Sequence, residues 1–343
     1  MRLRFYAWKA IWAVALWLVV SAGTEALLAA PVPEPPADVA ALIQTAQRDF
    51  ELGNYTVAIK ALQAATSQNS LSAEAFFWLA RSYYELRDFD NAVVQAEKAV
   101  ALDMKNSLYH EWLGRAYGGK ADRDRSFFLA KKVKKELQEA VRLNPSNIPA
   151  RADLEDFCMT APWIVGGNKD EAHDQVDAIS ALDAIEGHVA RGKFELSAMK
   201  RPDLAEAEFQ QILKANPNGI EAYLEAVAFF EKQNKLSEME LAIEGAERVN
   251  VKDPRIEFFQ AAQWVLSGSE APRAEEFLKS YIASTPERSD WPSHAAAREW
   301  LGRLYESQGK RAEAAEQYRA ALQLEPGRKE ATARLQKLEK ATP

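Results

Sequence analysis

The chain has 343 residues, 48% hydrophobic and 27% charged, with a formal net charge of −7 and one cysteine, Cys158. This is the balance of an ordinary globular protein, long enough for one large core or for two or three domains. It lacks the broad basic field that nucleic acid recruits, and a single thiol excludes an internal disulfide and any cysteine-based zinc site.

At the N-terminus, Arg2, Arg4 and Lys9 precede the uncharged apolar run AIWAVALWLVVSAG, residues 10–23. That run suits the apolar region of a secretory leader and falls short of the roughly 20 residues a membrane helix needs. Small residues surround Ala30, so 1–30 are expected to be a signal peptide and the protein to be exported, to the periplasm. The alternative is an N-terminal anchor in the cytoplasmic membrane, because only Thr24 and Glu25 interrupt the weaker apolar continuation. No cysteine follows the run, which excludes a lipoprotein anchor. PVPEPPAD, residues 31–38, is a proline-rich extended linker, since each proline fixes φ and removes a donor.

Beyond the linker the chain repeats every 34 residues. Ala46 and Ala80, Ala58 and Ala92, and Ala65 and Ala99 are so spaced, and Gly114 stands one period beyond Ala80. Leu79-Ala80 with Tyr83 recurs as Leu113-Gly114 with Tyr117, and as Leu301-Gly302 with Tyr305, the last followed by Ala314, Tyr318, Ala321 and Pro326. A small residue at a helix crossing lets two axes approach to about 8–10 Å. Leu, Tyr and Phe at helical spacing fill the space between pairs. Asn144-Pro145 and Asn216-Pro217 stop second helices, because the residue before proline avoids the helical region.

This pattern resembles the tetratricopeptide repeat (TPR), and the wider chain is similar to exported bacterial TPR proteins of unassigned function. The resemblance implies an all-α, right-handed superhelical solenoid of about eight helix-turn-helix units, closed by a C-terminal capping helix. The register places N-terminal units at 39–72, 73–106 and 107–147. Degenerate units follow at 148–185, 186–219, 220–254 and 255–288. The last unit is 295–328, and the capping helix 329–341. Such motifs identify a fold and leave activity open.

MTAPWIVGGNKDEAH, residues 159–173, breaks the helical rhythm. It is predicted to be an extended turn inside the fourth unit. Pro162 ends one helix, Trp163, Ile164 and Val165 fold back on a neighbouring apolar surface, Gly166 and Gly167 allow positive φ, and Asn168 with Glu171 starts the next helix. A phosphate loop would need a G-x-x-x-x-G-K-[ST] or G-x-G-x-x-G run after a strand. Neither is present, and Asp170 and Glu171 would repel the anion while favouring the helix end.

No residue set carries catalytic or metal chemistry. His110, His173, His188 and His294 are dispersed; His173 and Asp177 share a helix face but lack further ligands. Cys158, on a packed helix, reads as an inert thiol. Residues 120–136 are locally basic, with Phe127, Ala130, Val133, Leu137 and Ala140 as an apolar stripe and most lysines facing solvent. The seven extra residues of this unit are expected to lengthen the turn before its second helix.

First helices of stacked TPRs line the concave face, and the register puts Arg81, Arg115 and Arg303 at equivalent places there. Phe77 and Tyr84 flank Arg81 at spacings of four and three. A planar guanidinium suits a carboxylate and aromatics suit an apolar anchor, so these five residues are the candidate partner contacts. The pattern departs from carboxylate-clamp TPR domains, because the expected asparagines are missing and Glu111 lies near. The expected function is non-catalytic binding of a protein or peptide in the cell envelope, with no cofactor, metal or nucleic acid. The alternatives are a small-molecule-binding accessory protein of an uptake system, or an enzyme whose site forms only in three dimensions.

Overall fold

The 34-residue period becomes pairs of antiparallel helices. The computed structural model describes residues 37–340, so the leader and the start of the linker lie outside the described residues. The described residues hold seventeen α-helices and no strand. Eight hairpins follow one another: α1 (Ala37–Glu51) with α2 (Tyr55–Gln68), α3 (Ala73–Glu85) with α4 (Phe89–Leu102), α5 (Ser107–Asp124) with α6 (Phe127–Leu143), and α7 (Ile148–Thr160) with α8 (Lys169–Leu182). Then come α9 (Ala184–Ser197) with α10 (Pro202–Ala215), α11 (Ile220–Gln233) with α12 (Leu236–Asn250), α13 (Pro254–Ser267) with α14 (Ala271–Ser284), and α15 (His294–Ser307) with α16 (Arg311–Leu324). A single helix, α17 (Lys329–Lys340), packs on α16 and covers its outer face with Ala331 and Leu338.

Local chemistry sets the helix ends. Asn106 accepts from the amides of Leu108 and Tyr109, Asn147 from Ala150 and Ser293 from Ala296, each satisfying first-turn donors that would otherwise be orphaned. The two Asn-Pro pairs act differently. Asn144 leaves α6 in an extended conformation, whereas Asn216 leaves α10 in the left-handed region that asparagine tolerates.

Each hairpin crosses at a small residue. Gly302 of α15 lies under the Tyr318 ring of α16, where a Cβ would come within 2.5 Å of Cε1. Tyr318, Tyr223 and Tyr281 are among the largest fully buried side chains. Each such burial contributes on the order of 1.5–3 kcal/mol. The core is therefore a stripe along the stack, with contacts between sequence neighbours, as a solenoid requires. From α1 to α15 successive odd-numbered helices touch one another, while contacts between even-numbered helices are sparse. The odd-numbered helices thus form the inner wall of the curve.

The third hairpin is longer in its helices and not, as expected, in its turn. Five of its extra residues extend the end of α5, three extend the start of α6, and the connection shrinks to Arg125-Ser126. The tip therefore projects beyond its neighbours, about 7 Å on the α5 side at 1.5 Å per residue. This explains why Phe127, expected in the apolar stripe, is exposed while Val133, Leu137 and Ala140 are buried. The first turn of α6 has run past the helices that would cover it.

The 159–173 segment is the extended turn predicted, with two corrections. A one-turn 3-10 helix spans Trp163–Val165, and only Val165 folds back into the core; Trp163 is 84% exposed and Ile164 55%. Asn168 caps α8 by accepting from Asp170 N and Glu171 N, but Glu171 does not reach back. Its carboxylate is taken by Lys134 at 2.5 Å and Gln138 at 2.8 Å across the α6–α8 seam. Gly166 has φ 111°, while Gly167 is required for space, since a Cβ there would overlap the Ala161 carbonyl.

Candidate partner-binding groove

Along the inner wall several cations are paired with a neighbouring hairpin. Arg115 of α5 is buried, held by Asp153 of α7 at 2.5 Å and by Glu111 on its own helix at 2.9 Å. Lys193 of α9 meets Glu225 of α11 at 2.7 Å. Arg255 of α13 is bidentate to Glu221 of α11 at 2.8 and 2.9 Å and also binds Asp253. These pairs form a charge ladder between odd-numbered helices, satisfied from within. Arg115 therefore ties α5 to α7 and does not present its guanidinium to solvent.

Arg81 is different. It projects from α3 between its neighbours α1 and α5, with its guanidinium carbon 4.6 Å from the Phe50 ring centre, 4.4 Å from Trp78 and 4.6 Å from Trp112. Phe77 stands farther off, at 5.7 Å. Tyr84 faces Phe89 and Trp112 instead. No carboxylate of the described residues forms an ion pair with Arg81, and its Nε is buried without an acceptor. Burial pushes its pKa down to about 10, although Glu85 opposes the shift. Four aromatic faces stabilise the cation in part; a half-buried charge without a counter-ion still carries a desolvation cost. Arg303 lies at the corresponding place on α15, 3.9 Å over the Trp300 ring, and burial lowers its pKa as well. Thus Phe77, Arg81, Tyr84 and Arg115 lie in neighbouring inner helices, and Arg303 stands apart at the far end of the stack.

The carboxylates nearest Arg81 are engaged by a distant segment. Residues 285–293, between α14 and α15, reach the first two hairpins. Arg288 pairs with Glu51 at 3.3 Å, and Tyr55 donates to the Glu287 carbonyl at 2.9 Å. Ser289 donates twice to Glu85, and Pro286 packs on Gly53. The curved stack therefore meets itself after seven hairpins. Trp291 lies between two arginines, 5.0 Å from Arg288 and 5.4 Å from Arg255, and its buried indole N–H lacks an acceptor. Two donors thus lack acceptors, Arg81 Nε and Trp291 Nε1, near an Arg288 that is itself paired with Glu51 and Asp290. A hydrogen-bond acceptor is the chemical group these two donors lack.

Three features were missed from sequence. The aromatic box draws Phe50 and Trp112 from hairpins on either side of Arg81, which spacing within one helix does not reveal. The closing segment left a trace, since 289–294 fell between the assigned units. A third feature is a buried acidic group on α7 and α9. Burial pushes Asp156 up to about 7 and Glu186 up to about 8, and raises Glu155 well above the carboxylate range, with Lys193 opposing in each case. Shallow surface depressions lie elsewhere, at Ala333–Lys340 of α17 and at Asn216–Asn218 beside Gly245. Cys158 is buried, and its thiol is pushed up to about 12 by burial. His110 binds Glu136 at 2.7 Å and His188 binds Glu208 at 2.7 Å. His294 braces the closing segment through the Thr285 carbonyl at 2.8 Å. Among the described residues no three His, Cys, Asp or Glu side chains are grouped to hold a metal.

Stacked hairpins crossing at small residues, with odd-numbered helices lining the inside, define a helical-repeat solenoid. The tetratricopeptide repeat family model matches residues 43–107 and 269–329, so tetratricopeptide repeats stand near both ends of the stack. Comparison with curated proteins found no match. Among solved structures, the Cut9–Hcn1 hetero-tetramer of the APC/C aligns with 87% of this chain and 55% of its own, at 10% identity and TM-score 0.50. A thermophilic TPR protein of Thermus thermophilus shares 22% identity over 56% of this chain and 98% of its own, at TM-score 0.46. A tetratricopeptide repeat protein of Parabacteroides merdae shares 14% identity over 89% of this chain and its whole length, at TM-score 0.45. Tetratricopeptide-repeat proteins are generally scaffolds that bind protein or peptide partners, and they are typically not catalysts.

Proposed function

We propose that this protein is a non-catalytic scaffold of the bacterial cell envelope that receives a partner on the inner wall of its superhelix, at Arg81. The partner presents a carboxylate, from an acidic side chain or a chain terminus, beside an apolar residue. One observation carries this reading: Arg115, Lys193 and Arg255 have counter-ions from neighbouring helices, while Arg81 sits in an aromatic box with none. A planar guanidinium with aromatic walls recognises a carboxylate and a hydrophobic anchor together. Arg303, over the Trp300 ring, offers a second contact of the same kind. Export is supported by the basic residues and apolar run of the first 30 positions.

The test uses peptides ending in a free carboxylate and their amidated counterparts, titrated against the full chain and against Arg81→Met. Free-acid peptides are expected to bind at least about tenfold more tightly than amides, with the difference lost in Arg81→Met. Equal affinities for acid and amide would remove the assignment. Fractionation of cells expressing the chain, with N-terminal sequencing, checks the location; an unprocessed chain in the cytoplasm would overturn it.

A further inference from the structure

We infer that the projecting tip of the third hairpin, together with the turn of the fourth, is a docking surface for an anionic lipid bilayer. Phe127 and Phe128 open α6 at 64% and 70% exposure, and Trp163 and Ile164 at the neighbouring turn are 84% and 55% exposed. Four large apolar side chains so exposed on one rim are costly in water. The two pairs stand on elements that touch. Lys134 Nζ donates to the Gly166 carbonyl at 2.7 Å, and the 3-10 turn packs on α6. Phe127 and Lys131 lie seven and three residues before Lys134 on the same helix face.

The charge around this patch is positive although the whole chain is acidic. Arg125, Lys131 and Lys135 make no ion pair with a described carboxylate, and Lys132 leans over the Phe128 ring at 5.5 Å. Most nearby carboxylates have partners: Asp90 has Lys120 and Arg123, Asp124 shares Arg123, Glu136 faces His110, and Glu171 binds Lys134. Asp170, which opens α8 at this rim, sits at a helix N-terminus where the backbone dipole offsets its charge. The apolar groups stand on a hairpin tip and a turn; they do not line a groove. Side chains of this kind can enter the headgroup region singly, with lysines reaching phosphates alongside them. The surface is separate from Arg81 and does not depend on the groove reading.

The test places an environment-sensitive dye at the rim of the full chain carrying Cys158→Ser and Ile164→Cys, so that binding through the N-terminal apolar run cannot imitate the signal. A matching Leu324→Cys chain carries the dye on α16, where Leu324 is 54% exposed. With vesicles of phosphatidylcholine containing phosphatidylglycerol, the rim dye is expected to shift to the blue and be quenched by brominated acyl chains, and the α16 dye to remain in water. Lys131→Glu with Lys135→Glu should weaken the response at least about thirtyfold. A rim dye that stays in water while the chain floats with the vesicles overturns the inference. So does a shift that appears without vesicles as protein concentration rises, which would mark contact between two copies.

Discussion

Ser289 and Glu85, 204 positions apart in the chain, are joined by two hydrogen bonds: the Ser289 amide donates to one carboxylate oxygen at 2.7 Å and its hydroxyl to the other at 2.9 Å. This contact, with Arg288 on Glu51 and Tyr55 on the Glu287 carbonyl, closes the superhelix. A solenoid whose units touch only their neighbours is a spring; one fastened to its own first turn is not.

The fastening is expected to depend on pH. Burial raises the pKa of Glu85, with Asp290 adding to the shift and Ser289 and Arg288 opposing it. The closed form therefore binds the proton more tightly than an open form would. Its contribution is complete below the ordinary carboxylate range and is lost as pH rises through the raised value. Hydrogen-exchange protection in 285–293, corrected for the intrinsic rate at each pH, should fall from pH 5 to pH 8, and Glu85→Gln should flatten that dependence. Ser289→Ala should lower protection at every pH, removing one bond to a carboxylate worth about 1.5–3 kcal/mol.

The two neighbouring arginines should respond differently to the same substitution. Arg115→Met leaves Asp153 and Glu111 buried without their cation and should cost about 3–5 kcal/mol. In Arg81→Met the desolvation cost and the aromatic attraction vanish together, so the melting temperature should change little. Thermal denaturation of both variants checks this. A large loss at Arg81 would mean that the box is a packing device.

Asp156 should be a liability at neutral pH. Its carboxyl is pushed up to about 7, chiefly by burial, against an ordinary value of 3.8. The folded state thus favours the protonated form, and stability falls as pH rises from about 4 through 7. Asp156→Asn should raise the melting temperature at pH 8 and leave it nearly unchanged at pH 4.

Gly167→Ala should destabilise the chain by about 1–3 kcal/mol, because the added methyl meets the Ala161 backbone and a backbone cannot step aside as a side-chain tip can. Gly268→Ala, at positive φ with open space around it, should cost about 1 kcal/mol. Urea denaturation of the two variants compares overlap with strain.

The repeat was legible because helix pairing is local. Ala80, Gly114 and Gly302 each report one crossing within a few turns of chain, and Asn144 and Asn216 each report one helix end. The turn at 159–173 was legible for the same reason, down to the Asn168 cap. Phe127 and Trp163 were misplaced because whether an apolar side chain is covered depends on the length of the neighbouring helices, not on its own period.

From its own order of residues this chain determined an all-helical repeat, the crossings that build it, and arginines at matching inner positions. Only the assembled superhelix decided which arginine is paired. Arg115 meets Asp153, and Arg81 meets Phe50 and Trp112, because curvature sets what the neighbouring hairpins bring. Likewise only the completed turn brings Ser289 to Glu85. Contacts within a hairpin follow from spacing along the chain, while contacts across the turn follow from small rotations accumulated over seven hairpins, which no local pattern records.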